Sequence, residues 1–244
     1  MSAPAGGSAL RRALVDDRDG PLPAMLIALT MLAGVVDATS ILALDHVFVA
    51  AITGNIVFLG LGLSGASGFS IVSPAVAVGG FIVGAIVSAR VCRRPGGRHR
   101  GRAVRDTAIT KAVLAVPVTV VVVLAGDQPL HPTVRFVVTA LLAASMGAQM
   151  ALIRYVKVPD LLTAMVTFTT IGMLTERGAE HHDPLVLRRG LAVAAFVTGV
   201  LAGGLLVRLV SPGAALAFGL LIIAAVGAGS HVVSRAEAPW TAPR

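Results

Sequence analysis

The sequence predicts an all-α fold, a polytopic bundle of transmembrane helices, and three observations carry that expectation. Hydrophobic residues fill 56% of the 244 positions and charged residues only 13%, about half the charged share of a soluble domain. The mean hydropathy is +0.87. The apolar residues fall in runs that reach or exceed the roughly 20 residues a helix needs to cross a bilayer. Too little polar surface remains to clothe a water-soluble globule, which excludes an ordinary soluble enzyme, a disulfide scaffold and a disordered chain.

Residues 1–22 are Ala, Gly, Ser and charge, and are expected to form a disordered cytoplasmic N-terminus. Arg11 and Arg12 are followed by Asp16, Asp17 and Asp19, which is not the basic start of a signal peptide. A single transmembrane domain is expected over 23–233. Its first span runs from Pro23 to Leu44 and is interrupted by Asp37. The charge-free run from Val47 to Ala89 is too long for one span. Gly62, Ser64, Gly65, Ser67, Gly68 and Ser73-Pro74 divide it into a short piece, 47–64, and a span, 74–92. A basic loop at 90–108 follows. Further spans are expected at 109–126, containing Pro117, and at 133–153. A second short piece at 160–175 and a polar loop with Glu176, Glu180, His181, His182 and Asp183 come next. Spans at 188–209 and 212–233 meet at the Ser211-Pro212-Gly213 turn, and 234–244 is a C-terminal tail.

The formal charge is +8. In a soluble chain that would suggest nucleic acid, but no aromatic or helical reading face accompanies the basic run, so no nucleic-acid partner is expected. Membrane proteins place Lys and Arg in cytoplasmic loops. If neither short piece crosses, 18 of the 20 basic residues share the side of the N-terminus, with Lys111 counted in the basic loop; only Arg135 and Arg208 lie opposite. If both cross, the division is 11 to 9. The sequence therefore predicts six spans and two short or broken intramembrane segments, with both termini cytoplasmic; seven or eight crossings are the alternative. A bacterial cytoplasmic (inner) membrane is the expected location. The bilayer is the expected partner, with anionic lipid at the basic loop. Cys92 is the only cysteine, so no intrachain disulfide forms.

The two halves, about 23–126 and 133–233, resemble each other. Gly34-Val35-Val36-Asp37-Ala38 is echoed by Gly147-Ala148-Gln149-Met150-Ala151, and Thr53-Gly54-Asn55 by Thr167-Phe168-Thr169. Gly80 and Gly84 are echoed by Gly199 and Gly203. Three spans per half give the halves opposite orientation, an inverted repeat of the kind transporters use. The two Gly-x-x-x-Gly pairs read as helix-packing faces and could also bring two copies of the chain together.

Gly34-x-x-Asp37-Ala38, followed by Phe48-Val49-Ala50-x-x-Thr53-Gly54-Asn55, resembles the signature of the YoaK-like family of bacterial integral membrane proteins, a domain of unknown function. The resemblance covers most of residues 24–233 and implies a fold and a location without a substrate. The second-half motif is only partly kept. Gly147, Gln149, Ala151, Thr163 and Thr167 match, whereas Met150 stands where Asn is usual, Ala164 where a second Thr is usual and Phe168 where Gly is usual.

Asp37 is the leading candidate for function. An Asp at the centre of a span costs roughly 2.5–3.5 kcal/mol and is usually paired or faces a cavity. It could take up a proton or cation, or bond the freed amides of a broken segment. Thr53, Gly54 and Asn55 could line a polar site or support a helix break. Gln149, Thr163 and Thr167, with Thr169 and Thr170, would form the opposite wall, or bond their own helix. Asp45 and His46 mark a helix end or a proton entry point. No Walker loop, GxSxG or HExxH motif is present, so neither an enzyme, a cofactor nor a metal site is expected. The expected function is a small secondary transporter or permease of a small neutral or cationic solute, coupled through Asp37. The alternative is a non-transporting scaffold or assembly factor.

Overall fold

The computed structural model describes residues 5–93, 99–126, 128–158 and 184–242. Among these, the helices are α1 (Ala5–Leu14), α2 (Leu22–Ala43), α3 (Ile52–Leu63), α4 (Val72–Cys92), α5 (Arg100–Ala125), α6 (Pro132–Val156), α7 (Pro184–Leu209) and α8 (Pro212–Val233), with a 3-10 turn at Pro239–Thr241. All but α1 and α3 are long and apolar enough to cross a membrane. The 12 residues of α3 make roughly 18 Å of helix against an apolar core of roughly 30 Å, too short to cross. The protein is an all-α bundle with six candidate spans. The second short piece, 160–175, and the polar loop after it lie outside the described residues.

Proline and side-chain caps set the starts. Ser211 accepts from the Ala214 N–H at 3.1 Å ahead of Pro212, and His131 precedes Pro132 at the head of α6. A proline in the first turn loses no helical bond, since that amide has no partner there.

Three features differ from the sequence expectation. The N-terminal stretch, expected to be disordered, carries α1, and Asp16 and Gly20 bridge in a tight turn. The basic loop is short: α4 runs to Cys92 and α5 begins at Arg100, so Arg90, Arg100, Arg102 and Arg105 are helical. His99 caps this early start, accepting from the Arg102 N–H at 3.2 Å. Lys111, counted in the loop, is instead fully buried within α5, and its Nζ donates to the Ser145 carbonyl of α6 at 3.3 Å. The interior of the bundle thus holds a lysine amine that the sequence reading counts with the loop cations.

Contacts between helix ends sort the bundle into two faces. At one, Arg100 donates to Asp19 (2.8 Å), to the Val156 carbonyl (2.5 Å) and to the Trp240 carbonyl (3.1 Å). Arg188 there reaches the Ala13 carbonyl (2.9 Å) and Asp16 (2.6 Å). The starts of α2, α5 and α7, the end of α6 and the C-terminal turn therefore share this charged face. At the other, Ser73 donates to Asp45, and Arg135 lies 3.9 Å from the same carboxylate, so the end of α2 and the starts of α4 and α6 meet. Both described ends of the chain consequently lie on one side.

Helices α2 and α6 are the inner pair: 67% and 61% of their apolar windows are buried, against 17–33% for the other four spans. Each is gripped by one outer helix, α2 by α7 and α6 by α4. Glycine makes both contacts close. A Cβ on Gly34 of α2 would strike the Phe196 carbonyl of α7, and one on Gly147 of α6 the Phe81 carbonyl of α4. Reciprocally, Gly199 faces Met31 and Gly84 faces Ala144. Backbones this close gain dispersion contacts that larger residues would forbid, the usual basis of helix association in lipid.

Candidate functional site

Helix α2 ends where Asp45 (φ 69°) and His46 (φ 57°) take the left-handed conformation. Two such residues in succession reverse the chain, and 47–50 run back alongside the last turns of α2. This non-helical stretch lies against the membrane-spanning bundle, where its peptide groups cannot rely on water. Three side chains satisfy them. Asp37, 3% exposed, accepts through Oδ1 from the Val49 and Ala50 N–H groups at 2.9 and 2.8 Å. Ser40 donates to the Val47 carbonyl at 2.8 Å. Asn55 of α3 pairs with both sides of Phe48, accepting from its N–H at 3.0 Å and donating to its carbonyl at 2.5 Å.

Gly54 has a related role. A side chain there would collide with the Phe48 ring, which stacks on Phe58 at 5.7 Å between centroids. Asp37, Gly54 and Asn55 thus converge on one loop. Thr53, on the same turn, is exposed and does not join them. Gln149 is buried in α6 but meets α2 two turns away, donating to the Leu29 carbonyl at 2.9 Å. Its Oε1 has no partner among the described residues. Thr163, Thr167, Thr169 and Thr170 lie outside the described residues. Gly80 and Gly84 lie against α6, and Gly199 and Gly203 against α2.

The sequence reading missed Ser40 and Lys111. Ser40 lies one turn beyond Asp37 on α2, a spacing that could have signalled it. Lys111 looks like the end of a basic run and is counted with the loop, although it falls inside the expected span at 109–126. Chemically, Asp37 is a buried acceptor with one oxygen committed to backbone amides. Among the described residues, no hydrogen bond reaches its Oδ2.

Two cavities open at the face of Asp45. One, of about 270 Å³, is lined by Asp45, His46, Phe58, Phe69 and Ser70. The other, of about 240 Å³, lies between the ends of α2 and α5 and the start of α8, with Thr39, Gln128 and Leu216 in its wall. Thr39 spends its hydroxyl on the Val35 carbonyl at 2.8 Å.

A curated relative, the UPF0700 transmembrane protein YoaK of Bacillus subtilis (strain 168), is 28% identical over 158 residues, 62% of this chain and 65% of that protein. The alignment thus spans just under two thirds of the relative's length. No solved structure matches. The family described as "Protein of unknown function (DUF1275)" matches residues 25–228, a stretch that holds all six candidate spans but the last five residues of α8 and the first three of α2. With a multi-pass bundle and this match over most of its length, the chain belongs to the YoaK-like DUF1275 family of membrane proteins.

Proposed function

We propose that this protein is a small secondary transporter of the bacterial inner membrane, with both termini cytoplasmic, which moves a small neutral or cationic solute and catalyses no reaction. One observation carries the reading: two close glycine contacts of the α2·α7 interface correspond to two of the α4·α6 interface when the halves are exchanged. Gly34 on Phe196 corresponds to Gly147 on Phe81, and Gly199 on Met31 to Gly84 on Ala144. The register is 113 residues for the inner helices and 115 for the outer ones. It aligns Gly84 with Gly199, one turn away from the alignment of the Gly-x-x-x-Gly pairs. Since α2 runs from the charged face to the Asp45 face and α6 the opposite way, the exchange inverts the orientation. Inverted repeats support alternating access, in which one bundle rocks against the other.

The cavity beside Thr39 opens on the Asp45 face, while the buried Arg100–Asp19 pair ties helix ends together at the other. The excess of Lys and Arg at the charged face supports a cytoplasmic assignment for it.

A scaffold role is the second reading, favoured by the engagement of Asp37 with backbone amides and by its absence from the walls of both cavities. Proteoliposome uptake of a panel of small amines and neutral solutes, with and without a pH gradient, separates the two. Transport requires uptake by the wild type that Asp37→Asn changes in its pH dependence without loss of fold. Absence of uptake across the panel, with a thermal midpoint that no solute moves, would leave the scaffold.

A further inference from the structure

A third cavity, of about 820 Å³, lies on the opposite face from the Asp45 loop, between the last turns of α4 and α6. It is the largest of the three, within the size range of small-molecule sites, and its wall is divided by chemistry. Its floor is apolar, with Phe81, Ala85, Ala89 and Ala151 among its residues. Its rim carries Arg93, Arg154 and Lys157. All three rim cations are exposed, and no carboxylate pairs with them among the described residues. Phe81 precedes Cys92 by eleven residues, so the floor reaches roughly 16 Å along α4 below the rim.

We propose that this cavity binds one anionic phospholipid, its phosphate held by Arg93, Arg154 and Lys157 and one acyl chain laid along the apolar floor. The division of the wall selects this occupant. A soluble anion would use the rim and leave the floor in contact with nothing that matches it. A lipid without net charge would use the floor and leave the three cations without a net counter-charge among the described residues. The level is right as well, because the rim lies at the helix ends, where head groups are found, and the floor runs toward the bilayer centre.

The test is native mass spectrometry of the full-length protein released from nanodiscs of phosphatidylglycerol and phosphatidylcholine in equal parts. The wild type should retain one phosphatidylglycerol in preference to phosphatidylcholine. The Arg154→Gln/Lys157→Gln double variant should lose that preference by about tenfold or more, since each cation near a lipid surface adds to anion binding. Arg208→Gln, at the opposite face, should not alter it. Ala151→Phe, which fills the floor and spares every cation, should also expel the lipid. Equal retention of both lipids by the wild type would overturn the proposal, as would undiminished phosphatidylglycerol retention in the double variant. Displacement of the lipid by inorganic phosphate alone, at equal effect in Ala151→Phe, would overturn it too, by showing an anion site that ignores the floor.

Discussion

Replacing Asp37 separates its role as an acceptor from its role as a charge. In Asp37→Ala the Val49 and Ala50 N–H groups, now bonded at 2.9 and 2.8 Å, lose their partner in a place that water does not reach. A buried donor left unsatisfied costs about 1–3 kcal/mol. The two together predict a loss of about 2–6 kcal/mol, a large part of the roughly 5–15 kcal/mol that holds a folded protein together. Asp37→Asn keeps an oxygen at the same place. It gives up only the extra strength of a charged acceptor, about 1–2 kcal/mol for two bonds. The order of stability should be wild type, then Asn, then Ala, read as unfolding midpoints in one detergent. Asn55→Ala releases the neighbouring Phe48 amide and carbonyl, and its cost should not add to that of Asp37→Ala, because both grip one loop. Wild-type stability in Asp37→Ala would refute the clamp. An Asn variant as unstable as the Ala variant would show that charge, rather than hydrogen-bond acceptance, holds the loop.

Three other outcomes follow from the packing and the charges. Gly147→Ala should destabilise by about 1–3 kcal/mol, as overpacking does, because its Cβ meets the Phe81 backbone, whereas Gly79→Ala and Gly204→Ala, which open on free space, should cost nothing; thermal midpoints of the three check it. Arg100→Gln removes one partner of a buried pair, with 0% and 1% side-chain exposure, and should cost about 3–5 kcal/mol. The same change at Arg105, whose pair with Asp106 is about a third exposed, should cost under about 1 kcal/mol in the same assay. Burial raises the proton affinity of the Asp16 carboxyl, but hydrogen bonds from Arg188 and from the Asp19 and Arg18 amides outweigh it and hold the group below its ordinary value. Its stabilisation is therefore complete above the unfolded value near pH 4. It is lost as pH falls through the lower folded value, so Asp16→Asn should flatten the acid limb of a thermal-stability profile.

The six spans were legible because apolar length is a one-dimensional property. Asp37 was legible because one carboxylate in an apolar run is conspicuous. The identity of its partners was not, since they are backbone amides twelve and thirteen residues on, and no residue type advertises a donated N–H. Ser40 was hidden for the same reason. Arg100 and Lys111 were misplaced by the same count of cations that underlies the expected topology. Counting cations by side locates a charge along the membrane normal, but it cannot tell a residue in water from one at a helix end turned inward. Asp19 lay in a stretch whose composition reads as unstructured, and only the arrival of Arg100 and Arg188 from distant helices gives it order. The glycine repeat shows a different limit. A small-residue face recurs every turn, so a slip of one turn is invisible in the sequence, and only the carbonyl each glycine touches fixes the register.

That register gives the proposed transport cycle an asymmetry. Adding 113 to Asp37 gives Met150, so the inner helix of the first half carries a carboxylate where that of the second carries a thioether. The second half also lacks the Asn usual at that position in the resemblance noted above. Between the two inner helices, any ion coupling would then fall to that of the first half. Its carboxylate, however, is spending one oxygen on the loop that defines the helix break. Protonation of Asp37 would weaken both acceptor bonds and loosen residues 47–50 at the same moment as it removed the charge. In this protein the residue that could carry a proton is the residue that fixes the interrupted segment. A change of charge at Asp37 would therefore be felt first by the segment that its carboxylate holds. A scaffold would use the same carboxylate only for the extra strength of a charged acceptor, about 1–2 kcal/mol over asparagine for the two amides. The proposed transporter is therefore distinguished from a scaffold by whether Asp37→Asn changes the pH dependence of uptake as well as the stability of the fold.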